Sequence, residues 1–418
     1  MKVVFLSPTG VLGGAELCLL DLLASFRNDR PGWSLKVLLG DDGPLRGAVA
    51  DLGVPCELIP LPDRLAALGD AGLSLGSHGG GRLALAGRGS RAALSAFAYR
   101  NRLRGRLRAE SPDLVQTNGM KAHVLGAWAA PRGVPVVWHL HDYLGSRAVM
   151  ARLLRWSSRR GVSGVAVSRS VAEDAARVLG PAVPVETVYN AADLARFSPG
   201  PSDGSWLDAA SGLPPAPGGT VRVGLVATFA RWKGHEVFLD AVARLPEGLP
   251  ARFYIVGGPL YKSAGSQVSA DELAAKAAAL GLQGKVGFAG HQPEPSDVYR
   301  ALDVVVHAST RPEPFGRVIV EAMACGRAVV VARTGGASEL FEDGVSALGC
   351  PPGDPAALAA AIGRLVSDAG LREALGAGGR REAVARFDRS RLAGEWERVY
   401  AGAGLPRGGS SGRDGTNA

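Results

Sequence analysis

Short apolar runs that alternate with longer segments of helical periodicity most limit how this chain of 418 residues can fold. The first pair is KVVFLSP at 2–8 and AELCLLDLLASF at 15–26, in which leucines recur at helical spacing. Consecutive strands joined by helices pair in parallel, because each helix returns the chain to the same end of the sheet. The alternation therefore predicts an α/β fold built on parallel sheets.

The alternation occurs twice, and a stretch rich in Pro, Gly and Ser at 197–220 separates the two series. Each series has six apolar runs, which lie at 2–8, 34–40, 56–61, 112–118, 134–142 and 164–168, and at 221–229, 251–258, 285–290, 304–309, 328–333 and 346–351. A chain of this length also exceeds the usual size of a single core. We predict two Rossmann-like domains that face each other across a cleft, at 1–200 and 221–385, with a linker at 201–220.

Charge, cysteines and hydropathy restrict the possible partners and the compartment. The net charge of +8 favours an anionic partner but is too small to indicate nucleic acid. Four widely spaced cysteines are typical of small buried residues in a reducing compartment. The apolar stretch at the N-terminus is too short for a signal peptide, and no segment has the length of a membrane span. We predict a cytoplasmic protein.

One arginine-rich segment breaks the alternation. It overlaps the end of a Gly-rich stretch of weak periodicity at 63–95, and it holds eight arginines and no acid between Arg82 and Arg108. One interpretation is a helix with a solvated basic face. The other is a surface that docks onto an anionic acceptor or onto the inner surface of a membrane, as a peripheral contact. The sequence does not separate the two.

A glycine-rich loop follows the first strand. In SPTGVLGGAE, Gly10, Gly13 and Gly14 precede a helix, where exposed N–H groups can approach an anion. The spacing is not that of a dinucleotide-binding fingerprint, and the acids at 41–42 lie roughly 28 residues beyond Gly13 instead of about 20. The loop therefore predicts a phosphate contact or a plain tight turn, and it argues against a nicotinamide cofactor.

Two further loops carry histidines or cations at strand ends. His139 and His141 occupy alternate positions of VVWHLHDY, so both point to one face, and a histidine at such an end is typical of a ligand contact. One of them could be a core residue, and a metal site lacks a third ligand nearby. In the second series, Arg231 and Lys233 precede Gly234 at a strand-to-helix turn. They predict a diphosphate site, or else surface cations before a helix.

The segment RPEPFGRVIVEAMACG at 311–326 is the most informative stretch. It predicts a loop containing Glu313 and then a helix from about Gly316, with Glu321 just over one turn inside it. The first N–H groups of a helix are free to hold phosphate or hydroxyl groups. We expect both carboxylates to hold hydroxyls of one extended ligand. Glu313 should pair with a sugar and not with another residue of the protein.

These residues resemble a known family, the retaining nucleotide-sugar-dependent glycosyltransferases of GT-B fold in family 4. Its Glu-x7-Glu signature matches Glu313 and Glu321, and the resemblance extends to GGAE, to the His-Asp pair at 141–142 and to WKGHEVFLDA, leaving 63–110 unmatched. It implies a C-terminal helix at 386–403 that returns to the first domain, here followed by a tail at 404–418 that we expect to be disordered.

The resemblance also implies roles for individual residues. His141 and Glu313 would be the catalytic residues, and no metal or cofactor is required. The donor would contact Gly13, Gly14, Thr228, Arg231, Lys233, His291, Phe315, Gly316, Arg317, Val318 and Glu321. Apart from the resemblance, which does not extend to the acceptor loop at 117–123, we predict that the acceptor contacts Asn118, Lys121 and Tyr143. One position departs from the family, since Thr228 stands where an arginine is usual, and Arg231 is the candidate to replace it.

The resemblance implies transfer of a hexose-type sugar from a UDP-, GDP- or dTDP-linked donor to a hydroxyl acceptor, with retention of configuration. Two alternatives stay open. One is another activity of the same fold, an epimerase or a phosphorylase, although no segment suggests the lysine-bound pyridoxal group of a glycogen-type phosphorylase. The other is a binding protein for sugar nucleotides or glycans, derived from a transferase.

Overall fold

The structure is a computed structural model that describes residues 1–66, 82–259 and 267–404. Residues 405–418 of the predicted tail and residues 67–81 of the Gly-rich stretch at 63–95 lie outside the described residues. In the described part, no helix has both the length and the apolar character needed to cross a membrane.

The first domain contains a parallel sheet of seven strands in the order β3-β2-β1-β4-β5-β6-β7. Its strands are β1 Lys2–Ser7, β2 Ser34–Leu39, β3 Cys56–Leu58, β4 Leu114–Asn118, β5 Val136–Leu140, β6 Val162–Ala166 and β7 Val185–Thr187. Its helices are α1 Gly14–Asp29, α2 Pro44–Asp51, α3 Asp63–Ala66, α4 Arg82–Glu110, α5 Met120–Ala129, α6 Ala148–Ser157 and α7 Arg169–Leu179. Strand β7 is absent from the sequence prediction, because VET offers a single apolar residue.

The second domain repeats this plan with a parallel sheet of six strands, in the order β10-β9-β8-β11-β12-β13. Its strands are β8 Val221–Val226, β9 Ala251–Val256, β10 Val286–Gly290, β11 Val304–His307, β12 Ala328–Ala332 and β13 Leu348–Cys350. The remaining helices are α8 Ser205–Ala210, α9 His235–Val242, α10 Ala270–Ala279, α11 Pro295–Ala301, α12 Arg317–Ala324, α13 Pro355–Ser367, α14 Ala369–Arg386 and α15 Leu392–Gly402.

Both sheets confirm the predicted α/β class of two Rossmann-like domains. Strands such as β4, β5 and β12 are buried along their whole length, which explains their continuous apolar runs. In each sheet the strand order reverses beside the first strand, between β1 and β4 and between β8 and β11. Ligands of open α/β sheets bind at the carboxyl ends of strands beside such a reversal.

The stretch predicted as a linker packs against the second domain. Its helix α8 buries Leu207 and Asp208. The Asp208 carboxylate accepts a hydrogen bond from the Tyr254 hydroxyl, and it forms an ion pair with Arg222 at 2.9 Å. Residues 201–220 therefore include a helix held to the second sheet by buried polar contacts.

The end of the chain returns to the first domain. Helix α14 packs on α12 and β12 of the second domain and ends at Arg386, and a β-bridge then joins Asp388 to Ala192. Helix α15 packs on α1, with Trp396 and Tyr400 buried in the core of the first domain. The helix predicted to begin at residue 386 thus begins at Leu392, after this crossing.

Candidate active site

The cleft between the domains is spanned by polar contacts. The Tyr143 hydroxyl donates to the main-chain oxygen of Glu313 at 3.2 Å. Glu339, which follows β12, accepts from the main-chain nitrogen of Ser170 at 2.8 Å and from the Tyr189 hydroxyl at 2.8 Å. A carboxylate of the second domain therefore caps the start of α7 in the first, a position that the helix dipole favours.

Glu313 lies at the base of the cleft and is buried. Its Oε2 atom contacts Lys233 Nζ at 2.7 Å, Ser309 Oγ at 2.8 Å and His307 Nε2 at 3.2 Å. Burial raises the pKa of the Glu313 carboxyl, but the Lys233 charge and the His307 hydrogen bond outweigh burial and hold this pKa well below its usual value. Glu313 is therefore ionised.

The expectation that Glu313 binds a sugar and no other residue is wrong, because three side chains contact it. Lys233 is 80 positions away in the chain, so no local pattern could reveal this pair. His307 and Ser309 are functional candidates that the sequence reasoning missed. The sequence did contain a signal for these two residues, because both lie at the carboxyl end of β11, in VVVHAS. Lys233 lies in the loop after β8, the strand adjacent to β11.

Glu321 is buried on α12 and has two side-chain partners. Its Oε2 atom accepts a hydrogen bond from the Tyr299 hydroxyl at 2.8 Å, and its Oε1 atom pairs with Arg317 Nη2 at 3.0 Å. Arg317 is one turn earlier on the same helix. The carboxylate that closes the apolar run of α12 is therefore fixed by a phenol and a guanidinium.

Arg317 also reaches the first domain. Its Nη1 atom pairs with Asp21 of α1 at 2.8 Å and donates to the main-chain oxygen of Ala191 at 3.2 Å. We expected Arg317 to contact the donor. In the structure its guanidinium is buried between Asp21 and Glu321 and joins the two domains.

The start of helix α12 faces the same region. Gly316 precedes the helix with φ of 101° and no side chain caps its first N–H groups. Because φ is positive, glycine is favoured at this position. The N–H groups of Gly316, Arg317 and Val318 lie at this helix start, and that of Phe315 directly precedes it, so these groups can hold an anion or hydroxyl groups. Phe315 itself is buried against Tyr189 and Phe387.

The glycine loop of the first domain begins helix α1. The Gly13 N–H group donates to the Glu16 carboxylate at 3.2 Å, and Gly14 begins the helix in an exposed position. A methyl group added at Gly14 would meet nothing within 4 Å, so space is available beside this helix start. Burial raises the pKa of Glu16 to about 7.

His141 is oriented by Asn118. Asn118 Nδ2 donates to the main-chain oxygen of Ala15 at 3.2 Å, and its Oδ1 atom lies 2.6 Å from His141 Nε2. An amide oxygen only accepts, so His141 carries its proton on Nε2 and leaves Nδ1 as an acceptor. Burial, with the Arg317 charge, lowers the pKa of His141 to about 3, so the ring is neutral. Asn118, expected to bind the acceptor, holds this histidine.

The two histidines of β5 and its following loop do share a face, with ring centroids 3.9 Å apart. His139 is buried and its ring meets Trp396 edge-on at 4.7 Å. Tyr143, another expected acceptor contact, bonds to Ser170 Oγ at 2.9 Å besides Glu313. Lys121 is the second residue of α5 and is half-buried.

The remaining donor candidates follow strands of the second sheet. Arg231 pairs with Glu272 at 2.9 Å and with Glu236 at 3.6 Å, whereas Lys233 pairs with Glu313. The two cations thus have different partners. His291 is exposed after β10, and Thr228 is half-buried after β8.

Two parallel-sheet domains with a cleft between their carboxyl edges define the GT-B architecture, and the cleft holds an ionised Glu313 beside Lys233 with helix starts on both walls. The class is that of the GT-B glycosyltransferases. The family model for glycosyl transferases group 1 matches residues 214–382, and that for glycosyltransferase family 4 matches residues 13–196. The chain belongs to this glycosyltransferase family.

Curated relatives align over part of the chain. A D-inositol 3-phosphate glycosyltransferase of Corynebacterium jeikeium is 36% identical over 196 residues, which is 46% of each chain. Another, from Xylanimonas cellulosilytica, is 34% identical over 245 residues, covering 57% of this chain and 56% of the relative. The chain thus spans about half the length of the curated relatives that it matches.

Solved structures align over nearly the whole chain. HepE of Anabaena, crystallised in complex with UDP and glucose, is 28% identical with a TM-score of 0.77, covering 96% of this chain and 99% of HepE. Sucrose-phosphate synthase of Thermosynechococcus elongatus is 20% identical with a TM-score of 0.72, covering 96% and 98%. The second likeness shows the fold alone.

Proposed function

We propose that this protein transfers a hexose-type sugar from a nucleotide-sugar donor to a hydroxyl group of an acceptor, with retention of configuration and without a metal. One observation carries the proposal, namely the buried pair of Glu313 and Lys233 at the base of a cleft between two Rossmann-like domains. UDP-glucose is the first donor to test, because HepE was crystallised with it. GDP- and dTDP-linked sugars are the other candidates.

The donor would lie on the second domain. Glu321, held by Tyr299 and Arg317, is the proposed partner of the ribose hydroxyls. Lys233 would stay near Glu313 while its ammonium group also contacts the diphosphate, with the N–H groups that begin α12 and α1 as further donors. Arg231 would have to leave the Glu272 carboxylate to replace the arginine absent at Thr228. The ion pair of Arg231 with Glu272 is exposed, so breaking it to bind the diphosphate costs little free energy.

The chemistry requires no protein nucleophile. The bond between the sugar C1 and the diphosphate oxygen breaks, and its electron pair stays on the diphosphate. The acceptor oxygen forms a bond to C1 on the same face and passes its proton to the departing phosphate oxygen. Lys233 and the helix N–H groups stabilise the leaving charge. Neutral His141 offers Nδ1 as an acceptor for a sugar hydroxyl, and a pKa of about 3 suits positioning better than proton donation.

The acceptor would lie on the first domain, near Lys121 and the loop after β4. Asn118 and Tyr143 act there through the residues that they hold, His141 and the Glu313 main chain. The acceptor is a sugar, a small molecule or a lipid-linked group. We also propose a peripheral membrane contact through the segment Arg82–Arg108, on the cytoplasmic side.

A donor screen with the full chain tests the transfer reaction. Thermal shift identifies the nucleotide sugar that stabilises the fold by mass action, and nucleoside diphosphate release is then measured with a panel of acceptors. We expect Glu313→Gln and Lys233→Ala each to lower turnover at least ~10-fold, since each removes a charged contact next to the reacting sugar.

The matched control is Glu247→Gln, which neutralises an exposed glutamate in the loop before β9 and should leave turnover unchanged. Turnover close to that of the natural chain in both site variants would refute the site. Donor binding without diphosphate release for any acceptor would instead identify a binding protein.

A further inference from the structure

Helices α4, α5 and α6 form a strongly basic side of the first domain. Residues 82–172 contain sixteen lysines and arginines against three acids, whereas the whole chain carries a net charge of only +8. No acid occurs from Arg82 to Ala109 or from Tyr143 to Ala172. The rest of the chain is therefore net acidic, and the excess positive charge lies in the segment that contains these three helices.

Helix α4 has two different flanks. Tyr99, Leu103 and Leu107 recur every four residues and are buried against the domain. Beside them, Arg106 points to the sheet edge and pairs with Glu57 at 2.6 Å. Phe97 is on the other flank with 56% of its surface exposed, and the Arg100 guanidinium lies 4.4 Å from its ring centre.

Helix α6 presents the same combination. Leu153 is 41% exposed and Trp156 is 48% exposed. The Trp156 ring stacks on Trp128 of α5 at 4.1 Å, and the Arg160 guanidinium lies 4.6 Å from the Trp128 ring centre. The exposed arginines on and just after this helix are Arg152, Arg155, Arg159 and Arg160.

These elements form one continuous surface, because α5 packs against both α4 and α6. Burial is the main cause that lowers the pKa of Arg104. It is lowered further by the charges of Arg108 and Arg100 on α4, of Arg160 just after α6 and of Arg132 just after α5. The basic-aromatic face is defined by Leu94, Phe97, Arg100, Arg104, Arg108, Trp128, Arg132, Leu153, Arg155, Trp156, Arg159 and Arg160.

Helix α4 also extends beyond the sheet toward the cleft. Glu110 at its end pairs with Lys36 at the β2 strand, and the Tyr99 hydroxyl donates to the main-chain oxygen of Ile59, just past the carboxyl end of β3. The helix begins seventeen residues before Tyr99, at Arg82. At 1.5 Å per residue this overhang is about 25 Å long. Leu94 and Phe97 lie in it, on the side of the cleft formed by the first domain.

We propose that the basic-aromatic face docks onto the surface of an anionic lipid bilayer, with Phe97, Leu153 and Trp156 in the headgroup region and the arginines on the lipid phosphates. Arginines alone would suit nucleic acid equally well. Exposed aliphatic residues such as Leu94, which is 70% exposed, gain free energy only by leaving water. Their mixture with tryptophan and arginine is typical of interfacial helices.

Docking in this way would place the mouth of the cleft beside the lipid headgroups, because the overhang of α4 would lie between the cleft and the headgroups. A hydroxyl acceptor on a lipid could then reach His141 without leaving the bilayer surface. This consequence rests on the proposed transfer reaction, whereas the docking itself does not.

Vesicle binding of the full chain, without donor, tests the docking. Vesicles of phosphatidylcholine with about 30% phosphatidylglycerol should bind the protein, and pure phosphatidylcholine vesicles should bind it at least ~10-fold less. The triple variant Arg155→Gln/Arg159→Gln/Arg160→Gln should bind anionic vesicles at least ~10-fold more weakly. The double variant Phe97→Ser/Trp156→Ser should lose binding to a similar extent, since apolar burial then no longer contributes.

A control triple, Arg244→Gln/Arg364→Gln/Arg381→Gln, removes the same charge from exposed positions of the second domain and should bind as the natural chain does. An equal loss of vesicle binding in both triple variants would show that net charge alone matters and would overturn the proposal. Absence of binding to anionic vesicles would overturn it too, as would an aromatic double variant that binds normally. Each reading is valid only for variants that unfold at the temperature of the natural chain.

Discussion

Arg317 connects the two domains through a buried ion pair, and it also holds the glutamate assigned to the ribose. Its guanidinium lies 2.8 Å from the Asp21 carboxylate of α1 and 3.0 Å from Glu321 of its own helix. A buried charge that loses its partner is costly, while an apolar pair of similar volume is often tolerated. The contact therefore ties the position of Glu321 to the position of the first domain.

We expect Arg317→Met to lower the free energy of unfolding by about 3–5 kcal/mol, because it leaves Asp21 buried without its partner. The double variant Asp21→Leu/Arg317→Met should recover most of this loss. Chemical denaturation measures both, and donor affinity from the thermal-shift screen should weaken in either variant because Glu321 loses a partner. Equal instability of the single and double variants would contradict the role of the pair.

Residue-level partners are the part of the site that the sequence could not predict. Glu313 and Glu321 were recognisable from their spacing, and the Gly-rich start of α1 from its place after a strand. The partners Lys233, Asp21 and Tyr299 were not, because contacts between residues far apart in the chain follow no local period. The Lys233 and Tyr299 contacts depend on how elements of the second domain lie side by side, and the Asp21 contact depends on how the two domains face each other.

At the scale of elements, strands were predictable where a parallel sheet buries them on both faces. The short edge strand β7 was not, since an edge needs few apolar residues. Helix α4 was predicted only in part, because its Gly- and Arg-rich sequence has weak periodicity and follows the poorly patterned stretch at 63–95. Among its described side chains, the buried ones are Tyr99, Leu103 and Leu107, which are spaced four residues apart over about two turns.

The two glycines that flank the first loop make different demands on the fold. A methyl group at Gly10 would lie 2.5 Å from the main chain of Asp42, whereas at Gly14 it would meet nothing within 4 Å. We expect Gly10→Ala to destabilise the fold by about 1–3 kcal/mol and Gly14→Ala to leave stability unchanged. Gly14→Ala should nevertheless weaken donor binding, because a phosphate could no longer approach the start of α1. Thermal unfolding and donor titration of the two variants decide this, and unchanged donor binding in Gly14→Ala would exclude a phosphate there.

At the scale of the whole molecule, buried histidines make stability depend on pH. Burial lowers the pKa of His123 and His141 to about 3 and of His235 to about 4, and that of His139 also lies well below its usual value. An unfolded histidine titrates near pH 6.5. Between pH 6.5 and these lower values the unfolded chain binds more protons, so the free energy of unfolding falls as the pH falls.

At pH 5 each of these histidines should lower the free energy of unfolding by about 2 kcal/mol relative to pH 7.5. Above about pH 7 this loss of stability is absent. Glu16, with its pKa raised to about 7, acts in the opposite direction and offsets about one of them. Denaturation at a series of pH values measures the slope. The variant His235→Phe should reduce the slope by one histidine's share, and an unchanged slope would show that His235 is not held neutral.

Helix α15 completes the core of the first domain with Trp396 and Tyr400, although it lies after the entire second domain in the chain. During synthesis the ribosome therefore makes every residue of the second domain before the first domain can close its core. Domains usually finish folding in the order in which they are made. Here the second domain can fold while the first still exposes the apolar surface of α1 that α15 later covers, so the part of the chain that is made earliest is the last to complete its core.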